Sequence, residues 1–450
     1  VANEGADIAR AVAVDLGATS GRIALGELQE GRISFEIVEQ MPHEPVSRNG
    51  RLQWDFRKIF GLCKRAVALA KERGALTVGI DAWGVDHGFL SPDGGISALV
   101  CYRDTSHLKE FVKLAPHRRR LYELTGIQHQ PFNTICQLAA RKAENSEIVK
   151  AQWMILPDLL GYLLGDEAHC DLTEASTTQL MGLDGTWCAE AFDLIGWPVP
   201  SLQPSLPGDL GREVARGVRV ARVGSHDTAS AVAGFGALEP DEIFLNVGTW
   251  ILGGCLLDAP LATVQAEDLG FSNERAADGR VRFLKNIPGF YFINRLHEEL
   301  GVSVPVPEWL ASAEAFDEPV DLFNEAFFNP PSMVGICREL CGSLPSSDAS
   351  WAGFALASVW EAICKARAEL EGLTGRKFGA WRVGGGGSMS KAFCRGLANR
   401  SKLVVRAGPA EATVMGNLGT QFLAQGELAD WDAAYAAIKR SADVRTCNPD

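Results

Sequence analysis

A chain of 450 residues carries 43 basic and 56 acidic side chains, and the resulting net charge of −13 disfavours nucleic acid or an anionic membrane surface as its main partner. The length favours two or three domains, each with room for a sizeable core. No window is long and apolar enough to span a bilayer and the opening VANEGADIAR lacks a basic-then-hydrophobic leader pattern, so a cytoplasmic protein is expected.

The first strong pattern is AVAVDLGATSGRIALGEL: an apolar strand, a turn of small and hydroxyl residues, and a second strand carrying Ile23, Leu25 and Leu28. Glycines at both ends of the turn, Gly17 and Gly21, let the backbone approach a ligand and aim its N–H groups inward. Thr19 and Ser20 add hydroxyls, Arg22 a cation, and Asp15 a carboxylate just before the loop. Those are the parts of a phosphate–magnesium site, although the same residues also make an ordinary polar hairpin. Helices are expected over 57–72, 108–124 and 138–144. TVGIDAWGVDHGFLSPDGGISALVCYRD reads as three strands, with Trp83-Gly84 at one turn and Pro92-Asp93-Gly94-Gly95 at another.

Residues 218–223 alternate apolar and charged as a strand with one wet face would, and 230–232 suit a closely packed helix. Asp227, within GSHDTASAV, is therefore expected where a strand gives way to a helix, the crevice in which open α/β sheets bind ligands. Ser225 or Asp227 could equally be a helix cap. The stretch GFGALEPDE (234–242) is the expected boundary, and IFLNVGTWILGGCLL then repeats the strand–turn–strand pattern over 243–257. Two such hairpins half a chain apart suggest a duplicated fold, with Asn246 where the first copy has Asp15. The 11 cysteines are scattered as reduced buried thiols are; Cys337 and Cys341 alone fall close together, and one C-x3-C reads as structural. Last comes WRVGGGGSMSKAF, a strand, a glycine run that allows close backbone approach to a ligand, and a helix opened by Ser388. It lacks the Lys-Ser/Thr of a P-loop and the spacing of a dinucleotide fingerprint.

Taken together, VAVDLGATSGR (12–22), GIDAWGVD (79–86), YRD (102–104), PFNTICQL (131–138), LPDLLGYLLG (156–165), ASTTQL (175–180), SHDTASAV (225–232), GTW (248–250), LKNIPG (284–289), VGGGG (383–387), AGPAEATVMGN (407–417) and NPD (448–450) run nearly end to end. In that order they resemble the FGGY carbohydrate kinases of the actin-like ATPase superfamily, most closely those acting on L-rhamnulose. The resemblance implies an α/β protein of two actin-like (ribonuclease H-like) ATPase domains with a ligand cleft between them: 1–238 for sugar, the first phosphate loop and the base, and 239–450 for ATP. The implied reaction transfers the γ-phosphate of ATP, with Mg2+, to a ketose hydroxyl. L-Rhamnulose giving its 1-phosphate is preferred over L-fuculose, xylulose, ribulose or a polyol, and an actin-like ATPase without a sugar acceptor is the remote rival.

By the same resemblance Asp227 is the general base, with His226 and Thr228 in the sugar pocket together with Gly84 and Asn286, and with Trp83 and Asp81 lining it. A carboxylate of ordinary pKa, kept ionised by a helix N-terminus, is expected for that base. Ala18, Thr19, Ser20, Gly21 and Arg22 would form the first phosphate loop, Gly248 and Thr249 the second, and Gly384, Gly385 and Gly386 the adenosine pocket, while Asp15 would hold magnesium. Two departures fall on the nucleotide side: Asn294 stands where close relatives have a glutamine contacting nucleotide, and GGGGSM replaces a more polar continuation. Oligomeric state is not legible from the chain.

Overall fold

The structure is a computed structural model that describes residues 8–91, 95–316, 318–328 and 330–450. Pro92, Asp93 and Gly94 of the expected turn and most of VANEGADIAR thus fall outside the described residues. Two compact units are present: Val1–Ala237, Leu256–Phe283 and Thr413–Ser441 make the first, and Leu238–Cys255, Leu284–Ala412 and Ala442–Asp450 the second. The first crossing lies inside the expected 234–242 stretch. Two later segments nevertheless belong to the first unit, because they return apolar side chains to its core: Ala277, Val414, Leu418 and Phe422 are buried with Ala11, Ala13 and Ala24.

In the first unit a six-stranded sheet runs in the order Arg32–Pro42, Ser20–Gln29, Ala9–Leu16, Thr77–Ala82, Val218–Ala221, Leu210–Ala215. Its three central strands, Ala9–Leu16, Thr77–Ala82 and Val218–Ala221, are parallel, and the flanking pairs are antiparallel. Central strands covered on both faces should read as continuous apolar runs, and Val12 to Val14 do. Val12, Val14 and Leu16 pack with Ile59, Leu62 and Ala66 of the helix Phe56–Arg73, whereas Ala11 and Ala13 join the opposite cluster. Small residues on that second face permit close approach. A Cβ on Gly79 would lie 2.7 Å from Asn417 Oδ1 and from Val223.

The helix expected over 57–72 forms as Phe56–Arg73, started by Asp55, which accepts from Lys58 N, and ended by left-handed Gly74. The single helix expected over 108–124 is instead Leu108–Leu114 and Arg118–Thr125, separated by a 3-10 turn containing Pro116, which has no N–H to donate. The third helix begins at Thr134 rather than 138. Its extra turn was hidden because Thr134 and Gln137 are buried polar residues whose side chains bond the Val85 carbonyl, so no apolar period marks them. Only two of the three strands expected after 77 form. Thr77–Ala82 joins the sheet, His87–Leu90 pairs antiparallel with Gln152–Ile155, and the following segment makes isolated bridges at Ile96 and Val100. A partner more than sixty positions away is invisible to local pattern.

The second unit repeats the plan. Glu242–Val247 pairs antiparallel with Ile251–Leu257 and parallel with Ala380–Gly384, which is parallel to Val404–Ala407; Arg445–Cys447 closes that edge. The hairpin read as an echo is therefore a topological repeat, with Asn246 opposite Gly384 as Asp15 is opposite Asp81. After Gly384 comes left-handed Gly385, a 3-10 turn Gly386–Met389, and the helix Lys391–Ser401. Ser390, not Ser388, opens this helix, accepting from Phe393 N at 3.2 Å; Ser388 Oγ folds back onto the Gly385 carbonyl at 2.8 Å.

Candidate active site

The three central strands of the first unit end side by side. Ala82 N donates to Ser225 O at 2.8 Å and Trp83 N to Leu16 O at 3.1 Å, which aligns the Gly17–Thr19 loop, the Trp83–Val85 turn and the Ser225–Thr228 segment at one sheet edge. Parallel sheets place ligands at that edge. Asp227 is the first residue of the helix Asp227–Ala233, and the preceding His226 makes no side-chain capping bond. The carboxylate is not spent on a cap. Its Oδ1 accepts from Thr228 Oγ1 at 3.0 Å and lies 3.4 Å from His226 Nε2, and the side chain keeps 26% of its exposure.

Burial, and after it the charge of Asp15, push the Asp227 carboxyl up to about 7, against opposing contributions from the Thr228 hydrogen bonds and Arg282. This corrects the expectation of an ordinary, permanently ionised carboxylate. Desolvation and a like charge outweigh the terminus of a helix only 7 residues long.

A polar layer absent from the sequence reading lies behind this loop. Arg282 is fully buried; its Nε donates to Arg275 O at 2.8 Å, and its Nη2 lies 2.9 Å from His226 Nδ1 and 3.0 Å from Glu274 Oε2. Burial and the Arg282 charge hold the His226 pKa well below the usual imidazole value. Arginine can only donate, so Nδ1 of the neutral imidazole must accept and the proton must sit on Nε2, facing Asp227. Asp171 braces the same loop: its Oδ1 accepts from Thr173 N, Glu174 N and Ser225 N at 2.9, 3.1 and 3.2 Å, and His226 N donates to Thr173 Oγ1 at 3.1 Å. One signal for Arg282 was available, a cation between Val281 and Phe283 in an apolar strand. Asp171 is locally only the cap of the helix Leu172–Ala175; its bond to Ser225 N, fifty-four positions away, is what ties it to this loop.

Gly84 stands against these groups, and a Cβ there would lie 3.3 Å from His226 Nε2 and from Thr177. Val85 follows at φ 70°, a strained value for a β-branched residue, held by its N–H to Thr177 Oγ1 at 3.2 Å. Trp83 is buried, donates to Asp86 Oδ2 at 2.8 Å and packs on Trp54 with ring centroids 4.3 Å apart. Asp81 is fully buried and accepts from Asn417 Nδ2 at 2.6 Å. Both residues are therefore anchored internally.

In the first loop Arg22 Nη1 donates to Asp15 Oδ2 at 3.0 Å, Gly17 N closes the turn onto Ser20 O, and Arg103 donates to Ala18 O at 3.2 Å. Thr19 is exposed, Ser20 half-buried and Gly21 buried. Asp81 Oδ1 is buried without a hydrogen-bond partner, and burial with the Asp15 charge raises the Asp81 pKa well above the usual range. In the second unit Gly248 and Thr249 are exposed at the tip of the repeated hairpin, where Thr249 O accepts from Tyr291 N at 2.6 Å. A Cβ on Gly385 would meet the Val247 carbonyl at 2.8 Å and Asn246 Oδ1 at 3.0 Å, so glycine there serves both φ and space. Gly384 is buried beneath it and Gly386 exposed beside it. Asn286 is exposed on the strand Val281–Ile287, and Asn294 on the helix Phe290–Leu300. Among the described residues no three His, Cys, Asp or Glu side chains are grouped to hold a metal by themselves.

Comparison with known proteins gives the context. The chain is 31% identical to a rhamnulokinase of Oceanobacillus iheyensis over 97% of both chains, and 34% identical to one of Pectobacterium carotovorum over 93% of this chain and 89% of the other. This chain belongs to the rhamnulokinase family. It is accordingly a carbohydrate kinase. No family model matches it. Among solved structures, xylulose kinase from Lactobacillus acidophilus superposes with a TM-score of 0.79 over 98% of this chain and 94% of that one, at 15% identity. Plasmodium falciparum glycerol kinase with ADP gives 0.77 over 98% and 95%, at 13% identity. Such likenesses establish the fold, the two-domain actin-like α/β architecture expected from the motifs.

Proposed function

We propose that this chain transfers the γ-phosphate of ATP to the 1-hydroxyl of L-rhamnulose, with Asp227 as the base that accepts the hydroxyl proton. The observation that carries the reading is Asp227 itself: a carboxylate at a parallel-sheet edge, unspent on capping, hydrogen-bonded to Thr228 and backed by an oriented His226. Phosphoryl transfer needs mainly positioning and charge neutralisation, with a base that orients the hydroxyl and takes its proton as the new bond forms. A carboxyl pushed up to about 7 is better matched to that task near neutral pH than an ordinary one. The Nε2–H of His226 faces Asp227 at 3.4 Å without competing for the proton, because burial beside Arg282 keeps the ring neutral. The missing Cβ of Gly84 leaves room for the sugar against His226 and Thr177, and Asn286 is assigned to the sugar as well.

Ala18 to Arg22, with Gly248 and Thr249, are assigned to the nucleotide phosphates, and Gly384 to Gly386 with Asn294 to the nucleoside. Asp15, with the unpartnered Asp81 Oδ1 beside it, suits a hard cation, since magnesium takes one or two carboxylates and completes its shell with phosphate and water. When bound, magnesium supplies charge neutralisation at the phosphates. A cytoplasmic location accords with ATP use, and no helix among the described residues is long and apolar enough to cross a membrane.

The test is ADP release with Mg-ATP against L-rhamnulose, L-fuculose, xylulose, ribulose, aldoses and polyols, with a no-sugar control. Preference for L-rhamnulose supports the assignment. Preference for another sugar overturns the substrate, and turnover indifferent to every sugar overturns the acceptor role altogether.

A further inference from the structure

The sheet edge that carries Asp227 also carries Asp15 and Asp81, and after burial the charge of Asp15 raises the pKa of both other carboxyls. Two of the cations nearby are already committed. Arg22 is paired with Asp15, and Arg282 is fully buried and paired with Glu274. A phosphoryl group that arrives beside three carboxylates needs a cation that is accessible and not neutralised by a carboxylate of its own.

Arg103 meets both conditions. It is exposed, and among the described residues no ion pair involves it. The turn that carries it is fixed: Asp104 N donates to Cys101 O at 2.8 Å, Cys101 N to Leu52 O at 2.9 Å, and Leu52 N to Asp104 Oδ2 at 2.7 Å. The guanidinium carbon lies 5.5 Å from the Trp54 ring centroid and 5.4 Å from that of Tyr102, so two aromatic faces hold the group. Nη2 donates to Ala18 O at 3.2 Å. A guanidinium carries five N–H donors, and this carbonyl takes a single one of them.

The same contacts give Arg103 its place. Ala18 belongs to the loop assigned to the nucleotide phosphates, while Trp54 packs on Trp83 of the sugar-side turn. Burial pushes the Tyr102 phenol up to about 12, and the charges of Arg103 and Asp227 act on it in opposite directions, so one side chain feels both.

We infer that Arg103 is a catalytic residue, whose remaining N–H groups bind the phosphoryl group as it is transferred. This rests on the reading of Asp227 as the base and of 18–22 as a phosphate loop. In the step the sugar hydroxyl oxygen bonds to the γ-phosphorus and its proton passes to Asp227. The bond from that phosphorus to the β–γ bridging oxygen breaks, and ADP leaves with the electron pair. Negative charge on the non-bridging oxygens then meets a guanidinium already held in place, which needs no reorganisation.

Arg103→Met keeps an unbranched apolar stem against the rings and removes the charge and the donors. It should lower kcat by about 10²-fold or more, with KM for ATP and for the preferred sugar within about three-fold. Binding of ADP with aluminium fluoride and sugar, which imitates the planar phosphoryl group, should weaken in step with kcat, whereas binding of ADP alone should not. On the wild-type chain, phenylglyoxal should label Arg103 with ADP and sugar present but not after aluminium fluoride is added, a result that needs no folded variant. A folded Arg103→Met with kcat within about ten-fold of wild type overturns the inference. So does a loss confined to KM for ATP, as a displaced Ala18 loop would give, a loss confined to KM for sugar, or labelling indifferent to aluminium fluoride. Asp227→Asn measured alongside separates the two readings: a loss there without one in Arg103→Met removes Arg103 alone, and a loss in neither removes the base as well.

Discussion

Replacing Arg282 by methionine separates the two jobs that this buried cation performs. It is paired with Glu274, whose side chain is 12% exposed, and removing one partner of a buried pair costs roughly 3–5 kcal/mol. It also acts on Asp227 through His226. The contacts of 2.9 Å and 3.4 Å on the two sides of the imidazole put the guanidinium and the carboxylate up to roughly 8 Å apart. At that distance an effective dielectric of ~20–80 gives about 0.5–2 kcal/mol, or about 0.4–1.5 pKa units. The sign follows from the base: losing a nearby positive charge raises the Asp227 pKa above about 7, so less of the active, ionised form is present at neutral pH. Turnover should therefore fall most below pH 7, and its acid limb should move to higher pH by about 0.4–1.5 units. Measuring kcat from pH 5.5 to 9.5, with urea unfolding of Arg282→Met and of Arg282→Met/Glu274→Gln, tests both parts. The double variant should recover most of the stability and, because it also removes the negative charge of Glu274 3.5 Å from the same imidazole nitrogen, part of the pH shift. A folded single variant whose acid limb coincides with that of the wild type would refute the electrostatic reasoning.

Three further outcomes follow from the same geometry. Asp227→Asn should lower kcat by about 10²–10⁴ with nucleotide binding intact. Because the folded pKa lies above the unfolded value, the stability contributed by this group is complete below about pH 4 and is lost as pH rises through 7; the variant should gain in Tm relative to wild type at pH 8 but not at pH 4, and an equal difference at both pH values contradicts the shift. Gly385→Ala would drive a Cβ into the Val247 carbonyl at positive φ, so KM for ATP should rise and Tm fall with KM for sugar unchanged; parallel steady-state kinetics on both substrates decide it. Asn417→Leu strips Asp81 of its donor and should cost about 1–3 kcal/mol in chemical denaturation, and a neutral result would mean that Asp81 is satisfied another way.

The sequence by itself determined the parts of this protein that are local. The glycine hairpin, its repeat, the helix over 56–73 and the placement of Asp227 at a strand-to-helix junction all follow from short-range rules of apolar period, turn chemistry and capping, because each depends on a few consecutive residues. Tertiary structure alone decided what Asp227 is electrostatically. Asp15, Arg282, Glu274 and Asp171 are spread over more than two hundred and fifty positions, and burial makes each charge felt by the others, which no spacing rule anticipates. The same holds for the membership of the first unit, where 413–441 returns because its apolar face completes a core begun at Ala11 and Ala13. It holds too for Val85, whose strained backbone is fixed by hydroxyl and amide groups from segments fifty and ninety positions away. Solvent exclusion acts between surfaces that meet in space, so the chemistry of this site was settled by packing and not by order along the chain.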